Sequence, residues 1–499
     1  MQSAHTVLRP RFIKDLDVHP VGRANALWIA PSGGRDWVQA LNRLVADDGG
    51  AWREDVDPWS ALDGAQLLVA HGDDEWIALA RIAGVAVRVL SPGRFGAPED
   101  DEATLDHLAA NSLAATQWRD PFTGEAATLE TTIELLTTWR KILQENRRIA
   151  AACGIAWWKR AEIRRFLWHP QRSLRIVSSS ARALAIARKT GSAVAIWPSR
   201  VSSTLIKDAQ TQGVPLWRVE DGFVRSVGLG VELVPPSSII IDSIGIHFDP
   251  SRPSELEALL NEAELSPRLL ERARALRETI ITAGISKYAA GRAALAPRQS
   301  QALRTKGRLV LVPGQVEDDL SVRLGGSSIS NLELLRRVRA LEPNAEIWFR
   351  PHPDVDAGLR KGAVADNEAL THANRIVRGD SMAALLDTVD AVHVLTSLTG
   401  FEALLREREV ICHGTPFYAG WGLTRDLGEV PQRRKRVLTL DELVAAALIL
   451  YPRYLDPVTG LPCPPEVLVS RMAAARASNR LQWLSPLRRW QGRLMAALR

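Results

Sequence analysis

Short apolar runs alternate with longer amphipathic segments along most of this chain, a pattern typical of a parallel β-sheet with crossover helices. After residue 170, strands are predicted at 174–177, 193–197 and 214–219, with helices between them at 181–188 and 203–212. A second series of strands is predicted at 308–312, 346–349, 391–395 and 410–413. Each series predicts a parallel α/β sheet with crossover helices, and ligands on such a sheet bind beyond the carboxyl ends of the strands.

Helix-start signals lie between and within the two series. Ser254 and Glu257 resemble a capping box, and Ser266 followed by Pro267 is typical of an N-cap and a first helical position. From Ser266 to about residue 296 we expect a charged helix that bridges the two lobes. Asp380 or Ser381 is expected to cap the helix that precedes the strand at 391–395.

The first part of the chain has a weaker pattern of the same kind. Apolar runs at 26–30, 66–70 and 85–90 and a helical pattern at 37–45 predict a small α/β segment, and a helix is predicted to run through about residue 151. The pentapeptide at 120–124, DPFTG, recurs at 456–460 as DPVTG, and each copy precedes a helical segment. We therefore expect residues 1–125 to be a shortened, degenerate copy of the end of the main unit, with a structural role.

These patterns predict four regions: a small α/β segment at 1–125, one α/β lobe at 150–300, a second at 305–465 and a tail at 466–499. The end of the tail, residues 483–499, contains four arginines and no acidic residue. Its apolar residues at helical spacing are Leu487, Trp490, Leu494 and Leu498. Such a basic amphipathic segment fits an anionic membrane surface, and it equally fits a packed terminal helix.

Composition narrows the class of protein. The 499 residues are 46% hydrophobic and 24% charged, and 63 Lys+Arg against 57 Asp+Glu make a mixed surface that argues against a nucleic-acid partner. The three cysteines lack any metal-ligand or disulfide spacing, which favours a reducing compartment. With neither a signal-peptide core nor an apolar run long enough to span a bilayer, the chain is expected to be cytoplasmic, either soluble or peripheral on the inner face of the membrane.

The stretch 217–230, WRVEDGFVRSVGLG, brings a carboxylate to the end of a predicted strand. Neighbouring side chains on a strand point to opposite faces, so we expect Asp221 to face the cleft and Glu220 to support it. Gly222 and Gly228 permit close ligand approach or a positive φ, and Arg225 could hold either the carboxylate or an anionic substrate. The alternative is an exposed carboxylate in an ordinary turn.

The second series carries polar loops at four consecutive strand ends, namely 313–315, 350–354, 396–400 and 414–422. Ser397 and Thr399, with a helix starting near Gly400, offer hydroxyls and backbone N–H groups to a phosphate, although they could simply cap the helix. Glu402 could accept from a ribose hydroxyl or only favour the helix dipole. The acidic run 317–319 is expected to be a solvated loop rather than a metal site.

Two further residues of these loops are candidates for ligand contact. His352 stands between two prolines that fix its direction, which suits a group that meets a phosphate or protonates a leaving oxygen, although a lone histidine is more often structural. Gln315 is the candidate for a contact with a base or a sugar.

The ordered set of motifs at 220–230, 350–355, 395–404 and 416–424 resembles the KpsC-type capsular polysaccharide β-Kdo glycosyltransferases over residues 150–465. The resemblance implies a GT-B-like α/β fold of two Rossmann-type lobes with a cleft between them. It makes the first lobe the acceptor side and the second lobe the nucleotide-sugar-binding side, with CMP-Kdo as donor substrate. No metal or other cofactor is implied. The resemblance further implies a lipid-linked glycan acceptor, and a membrane surface and capsule assembly machinery as partners.

The resemblance also assigns roles to residues. It makes Asp221 the catalytic carboxylate, either a nucleophile of a retaining reaction or a base, and lets His352 contact the donor phosphate and help CMP to leave. Ser397 and Thr399 are implied to hold that phosphate, with Glu402 near the ribose. The remaining predicted binding residues are Glu220, Arg225, Gln315, Arg350 and Gly400. Because only one set of motifs is present, a single linkage type is expected.

Two alternatives stay open at the level of sequence. The chain could use another CMP-sugar or a UDP-sugar, because no donor-sugar contact can be read from the motifs. It could also be a non-catalytic protein of capsule assembly or export that keeps the fold.

Overall fold

The computed structural model describes residues 5–9, 25–28, 51–52, 62, 65–170, 172–225, 235–286 and 307–478. The chain divides into two compact units, Met1–Leu136 and Thr137–Arg499. Four predictions lie outside the described residues: the helix at 37–45, the loop with Gly228, the bridging helix beyond 286, and the basic segment at 483–499.

The first unit contains a parallel sheet. Its strands are β1 (His5–Arg9), β2 (Asn25–Trp28), β3 (Ala51–Trp52), β4 (Ala65–Ala70) and β5 (Ala86–Val89), in the spatial order β3-β2-β1-β4-β5. Helix α1 (Trp76–Ile82) connects β4 to β5, and α2 (Glu102–Ala115) follows. The apolar face of α1 packs with Leu68 and Leu105 in one buried cluster. A hairpin of β6 (Trp118–Arg119) and β7 (Ala126–Ala127) then leads into α3 (Leu129–Arg147), which crosses the unit boundary.

The second unit begins with the first of the two lobes. Its strands are β8 (Ile149–Cys153), β9 (Arg175–Val177), β10 (Ala193–Ile196), β11 (Leu216–Asp221) and β12 (Ser238–Asp242). Its helices are α4 (Arg160–Phe166), α5 (Ser180–Thr190), α6 (Ser203–Thr211), α7 (Glu255–Glu262) and α8 (Pro267–Thr282). Strands β8 to β11 pair in parallel, and β12 pairs antiparallel to β11. Nearly every residue of β8, β10 and β12 is buried, as expected for strands covered on both faces.

The second lobe is a parallel sheet in the order β15-β14-β13-β16-β17-β18. Its strands are β13 (Leu309–Pro313), β14 (Glu346–Arg350), β15 (Arg375–Ile376), β16 (Ala391–Val394), β17 (Glu409–Cys412) and β18 (Arg425–Asp426). Its helices are α9 (Leu320–Gly325), α10 (Asn331–Leu341), α11 (Pro353–Asp356), α12 (Asp366–Ala369), α13 (Met382–Thr388), α14 (Leu398–Leu405) and α15 (Leu440–Val444). The order reverses direction at β13 and β16, and such a switch point is where ligands bind in this kind of sheet.

After α15 and a helical turn at Ala445–Leu450, the chain returns to the first lobe. Strand β19 (Pro452–Leu455) pairs antiparallel with β12, and β20 (Pro462–Cys463) pairs with β19, before the final described helix α16 (Pro465–Ser478). This corrects the predicted lobe boundary at 465, because the second lobe ends before β19. The buried Arg453 fixes this return, since its guanidinium donates to Asn146 Oδ1 at 2.7 Å and pairs with Glu145.

Three further predictions need correction. The helix expected through 151 ends at Arg147, and the alanine-rich segment Ile149–Cys153 is a buried strand, because burial between neighbouring strands overrides the helix preference of alanine. Helix α8 ends at Thr282, followed by Gly284 with a φ of 56°. The capping box at Ser254 is only half formed, since Glu257 turns its carboxylate to other partners. Ser381, rather than Asp380, occupies the N-cap position of α13.

The repeated pentapeptide forms the same turn in both copies. In each, the glycine N–H donates to the aspartate carbonyl at 2.8 Å, and the aspartate N–H donates across the hairpin at 2.9 Å. The glycines, Gly124 and Gly460, have φ values of 78° and 73°. The following helices, α3 and α16, begin the same number of residues after their turns, at Leu129 and Pro465.

The likeness extends beyond the turn. The order β3-β2-β1-β4-β5 of the first unit is the same as the order β15-β14-β13-β16-β17 of the second lobe. The first unit therefore repeats the topology of the second lobe, and not only the end of the main unit as the sequence predicts.

Candidate active site

Asp221 is the last residue of β11, and two cations hold its carboxylate. Lys159 Nζ donates to Oδ1 at 2.8 Å, and Arg225 Nε donates to Oδ2 at 2.9 Å. The Asp221 side chain is 19% exposed, whereas the side chains of Lys159 and Arg225 are 8% and 4% exposed. The carboxylate is thus the accessible member of a fixed, charged cluster at the carboxyl edge of the first-lobe sheet.

The charges of this cluster set its ionisation. Burial raises the pKa of Asp221, but the positive charges of Lys159 and Arg225 outweigh burial and hold that pKa below its ordinary value. The carboxylate is consequently ionised at neutral pH. Burial also lowers the pKa of the Lys159 ammonium, and its contact with Asp221 only partly compensates.

Sequence reasoning missed Lys159. It lies in a short turn, Trp157–Lys159, directly after β8, and its Nζ is 3.6 Å from the centroid of the Trp197 ring at the end of β10. Three neighbouring strand ends therefore meet around Asp221. The signal that could have found Lys159 is its place after a strand, but the prediction of a helix over Ile149–Cys153 concealed that strand.

The neighbours of Asp221 have structural tasks. Glu220 Oε1 accepts from the backbone N–H of Asp221 at 3.0 Å, so it supports the strand end. Arg225 was a candidate for holding either the Asp221 carboxylate or an anionic substrate, and the structure shows that it holds the carboxylate. Gly222 is required by close packing rather than by a ligand, since a Cβ there would lie 2.1 Å from Ser238 Oγ on β12.

Gln315, which follows β13, positions the loop after β16. Its Oε1 accepts from the N–H groups of Leu395 and Thr396 at 3.2 and 3.0 Å, and its Nε2 donates to Thr396 Oγ1 at 3.0 Å. Asn331 in turn holds the Gln315 backbone on both sides. Gln315 therefore positions the Thr396 loop, and its contact with a base or a sugar stays a prediction.

The loop that Gln315 holds leads into α14. Ser397 is the N-cap, with its Oγ accepting from the Thr399 N–H at 3.2 Å and donating to Thr399 Oγ1 at 3.1 Å. Tyr418 donates its hydroxyl proton to the Ser397 carbonyl, and a Cβ on Gly400 would lie 2.2 Å from the Tyr418 hydroxyl oxygen. Ser397 therefore caps α14, as one of the two alternatives predicts. The N-terminus of this helix also lies at the switch point of the sheet, where an anionic ligand would bind.

Arg350, the last residue of β14, is a buried cation with spare donor capacity. Its Nη1 has no hydrogen-bond partner among the described residues. Burial lowers the pKa of the guanidinium, and the charges of Asp380 and Glu402 oppose that shift. Glu402 is itself 6% exposed, in the second turn of α14. A buried guanidinium with an unused N–H group is suited to an anionic ligand.

His352 has a defined orientation at the start of α11. Its Nδ1 accepts from the backbone N–H of Asp354 at 3.1 Å, and Pro353 follows it as the first helical residue. Since Nδ1 is the acceptor, the proton of the neutral ring is carried by Nε2. The ring can therefore present an N–H donor from the side opposite the backbone.

Aromatic contacts join the two lobes beside Asp221. The Phe223 ring stacks on Phe417 with centroids 4.6 Å apart, and its centroid is 6.0 Å from that of Phe401 on α14. Phe223 and Glu402 also line one small cavity of about 20 Å³. The end of β11 and the start of α14 thus border the same space.

A buried ion-pair cluster provides a second connection between the lobes. Glu257 on α7 accepts from Arg433 Nε at 2.6 Å and from Arg434 Nε at 2.7 Å. Arg434 also donates to the carbonyls of Pro416 and Ala419 at 2.7 Å. Much of the motif at 416–424 is buried. Its role is structural, because it places Tyr418 against the Ser397 loop.

Within the described ranges, no group of three or more His, Cys, Asp or Glu side chains is arranged to hold a metal ion. In the same part of the chain, no helix has the length and apolar character needed to cross a membrane.

Two Rossmann-type sheets, joined beside a charged strand end, define a GT-B-like α/β protein. The chain belongs to the capsule polysaccharide biosynthesis protein family, whose model matches residues 192–454, just over half of the chain. The resemblance given by the motifs is thereby confirmed.

Relatives with known names agree with this family. The capsule polysaccharide modification protein LipA of Neisseria meningitidis serogroup A is 39% identical over 356 residues, which are 71% of this chain and 50% of the relative. The chain therefore spans about half the length of that relative.

Two solved structures are similar in fold. Thermosulfurimonas dismutans KpsC, a β-Kdo 2,4 transferase, is 34% identical with a TM-score of 0.56, over 65% of this chain and 98% of that chain. A second structure, the KpsC β-Kdo 2,7 transferase of the same organism, is 34% identical with a TM-score of 0.53, over 65% of this chain and 99% of that chain.

Proposed function

We propose that this chain is a glycosyltransferase that transfers Kdo from CMP-Kdo to a lipid-linked glycan in capsular or related surface polysaccharide synthesis. The observation that carries the proposal is the ionised Asp221, held by Lys159 and Arg225 at a strand end that borders the loops of the second lobe. The Kdo transferases that share the fold support the choice of sugar, and the capsule family supports the pathway.

In this proposal Asp221 is a nucleophile. A general base works best with a pKa near the working pH, whereas the pKa of Asp221 is lowered, so it takes up a proton poorly. An Asp221 oxygen attacks the anomeric carbon of Kdo, and the bond from that carbon to the phosphate oxygen breaks as CMP leaves with the electron pair. An acceptor hydroxyl oxygen then attacks the same carbon, the bond to Asp221 breaks with its electron pair returning to the carboxylate, and the hydroxyl proton passes to solvent. Two inversions retain the configuration.

The second lobe binds the CMP portion in this proposal. Arg350 offers its unused N–H group to the phosphate, and the N-terminus of α14 at Ser397 and Thr399 adds backbone donors. His352 donates from Nε2 to the leaving phosphate oxygen. These fixed donors stabilise the departing charge with the protein's own cation and N–H groups. Glu402 is assigned to the ribose, and Gln315 positions the phosphate loop.

The acceptor side follows from the same proposal. A lipid-linked glycan is presented at a membrane surface, which places the working protein on the cytoplasmic face of the membrane, alongside the capsule assembly machinery.

CMP release from CMP-Kdo by the purified chain tests the proposal. We expect Asp221→Ala to lower the rate by at least about 10³-fold, because it removes the covalent intermediate. His352→Ala should lower it by roughly 10²-fold, the usual contribution of a positioned proton donor. Mass spectrometry of the intact protein should show a Kdo adduct when the acceptor is withheld.

Equal background rates for the wild-type and Asp221→Ala proteins would exclude the enzymatic reading. Turnover of a different CMP-sugar or a UDP-sugar, with none of CMP-Kdo, would contradict the donor. If the chain is active without forming an adduct, and the anomeric configuration is inverted, Asp221 acts as a base and not as a nucleophile.

A further inference from the structure

Two adjacent tryptophans beside Asp221 have no role in the chemistry described above. Trp157 and Trp158 lie in the turn between β8 and α4, immediately before Lys159. Trp157 is 60% exposed, although its indole is among the largest apolar surfaces a residue can bury. An aromatic side chain that the fold leaves in solvent, two residues before the lysine that holds Asp221, requires an explanation.

Contacts of Trp158 place this turn at the reacting carboxylate. Its ring centroid is 5.0 Å from Lys159 Nζ and 5.9 Å from Arg225 Cζ. Those two cations are the groups that hold Asp221. The turn that carries both tryptophans therefore lies at the carboxyl edge of the first-lobe sheet, whereas the loops assigned to CMP belong to the second lobe.

The chemistry of the indole matches a sugar ring. A pyranose has an apolar C–H face and a rim of hydroxyls, so it packs flat on an aromatic face and needs polar partners at its edge. In the described part of the chain, neither indole N–H of this pair donates a hydrogen bond, which leaves two donors for hydroxyls. A purely structural pair would bury its rings or satisfy its N–H groups, as Trp421 does with the Phe417 carbonyl at 2.9 Å.

We propose that Trp157 and Trp158 form the stacking surface for the terminal sugar ring of the acceptor glycan. The inference rests on the proposed function, since the acceptor hydroxyl must reach the carbon that is bonded to Asp221. It adds the part of the site that selects a glycan rather than water or a small alcohol. The occupant is a pyranose ring of the acceptor, and the donor remains on the second lobe.

Kinetics with a defined acceptor test this surface. The probe is a β-linked Kdo disaccharide on an alkyl aglycone, used with CMP-Kdo and the full chain. Trp157→Ala should raise the KM for the probe by about tenfold or more, because it removes an aromatic stacking partner, while the KM for CMP-Kdo is unchanged. Trp157→Phe, which keeps an aromatic face, should recover most of the loss.

Trp168 provides a matched control. It is a tryptophan of similar exposure, 57%, at the opposite end of α4. Trp168→Ala should leave the KM for the probe within about twofold of wild type, as expected for a surface substitution away from a site. An equal rise in the KM for the probe in Trp157→Ala and Trp168→Ala would overturn the proposal, as would no rise in either.

A binding measurement separates this inference from the proposed function. Saturation-transfer NMR should show ring protons of the probe in contact with the wild-type chain, and Trp157→Ala should abolish that contact. If the chain turns over no CMP-Kdo but this pattern is found, the transferase proposal fails and the glycan surface stands. If the wild-type chain and Trp157→Ala give the same signal, or neither gives one, the surface is refuted whether or not CMP is released.

Discussion

Lys159 is the residue that most changes the interpretation of Asp221. From the sequence, Asp221 is a carboxylate with Arg225 nearby, and its ionisation is undetermined. The structure adds a second buried cation that is stacked on Trp197 and bonded to the other carboxylate oxygen. Sequence could not supply this contact, because the two residues are 62 positions apart and nothing local pairs them.

Replacing Lys159 should therefore change the pH dependence of turnover. The pKa of Asp221 is lowered in the folded protein, so the ionised, active form persists down to acidic pH. In Lys159→Met one of the two cations is lost, and the acid limb of the kcat/KM profile should move to higher pH by about one unit or more. A pH series of CMP release measures the shift, with Tm as a check on folding.

The matched variant Lys159→Arg keeps the charge. It should restore the acid limb toward its wild-type position, even if kcat is reduced by the altered geometry. An acid limb that stays in place in Lys159→Met, with an unchanged fold, would show that Asp221 is not the group that titrates.

At the scale of elements, the start of α14 shows how a motif of buried residues positions polar ones. Tyr418 bonds to the Ser397 carbonyl, and Arg434 and Trp421 fix the loop that carries Tyr418. The sequence predicted the strand and the helix around this loop closely, since 391–395 was expected and Ala391–Val394 was found. The function of the 416–424 motif was not predictable, because its partners belong to other strand ends.

Gly400→Ala tests this arrangement. The added methyl group would lie 2.2 Å from the Tyr418 hydroxyl oxygen, so the helix start must shift. We expect a loss of about 1–3 kcal/mol in the free energy of unfolding, the usual cost of overpacking, measured by urea denaturation. A weaker affinity for CMP should accompany it, measured by calorimetry.

Tyr418→Phe supplies the complementary variant, because it removes the nearest clashing atom and leaves the ring carbon Cζ, at 2.8 Å, as the next contact. The double variant should be less destabilised than the sum of the two single variants, as expected for residues in direct contact. Strict additivity would mean that the hydroxyl does not constrain Gly400.

The local pattern of apolar residues predicts most strands of the second unit correctly. It fails for strands whose partners are distant in the sequence. Strands β10, β14 and β17 lie within a residue of their predicted positions, because each is a short apolar run between helices. Strand β8 was predicted as helix, since alanine gives no strand signal by itself. The membership of β19 in the first lobe depends on pairing with β12, which lies some two hundred residues earlier.

At the scale of the whole molecule, the first-unit sheet and the second-lobe sheet share one strand order. The residues proposed to bind the phosphate belong to the second lobe. In the first unit, the loop after β4 reads His71-Gly-Asp-Asp-Glu75, where the second lobe has Thr396 to Gly400. Acidic residues at this helix start disfavour a phosphate. The sequence echo of five residues revealed the repeat, but the shared strand order became visible only in the structure.

The two copies of the turn allow a matched measurement of stability. Asp120 and Asp456 accept from equivalent backbone N–H groups, two and three residues further along the chain. Asp456 is fully buried and also bonds to Arg471 Nε at 3.0 Å, whereas Asp120 is half-buried. Asp456→Ala should cost roughly 3 kcal/mol, since it removes a buried carboxylate that accepts from two backbone N–H groups and from Arg471. Asp120→Ala should cost only about 1 kcal/mol, the usual value for a lost turn or cap hydrogen bond.

Urea denaturation of the two variants gives both values. Asp456→Asn, which keeps an acceptor without the charge, should fall between them. Equal losses for Asp120→Ala and Asp456→Ala would mean that burial and Arg471 add nothing to the turn.

The shared turn has a consequence for how such chains are assembled in a genome. The hairpin turn and the start of the next helix have the same hydrogen bonds and the same spacing at 120–129 and 456–465. A DNA crossover between the two coding stretches therefore joins a complete hairpin to a complete helix. Neither a strand nor a helix is interrupted by the exchange. Recombination at this point can therefore delete or duplicate the whole segment between the two turns in one event, and an engineer can use the same junction to build tandem chains.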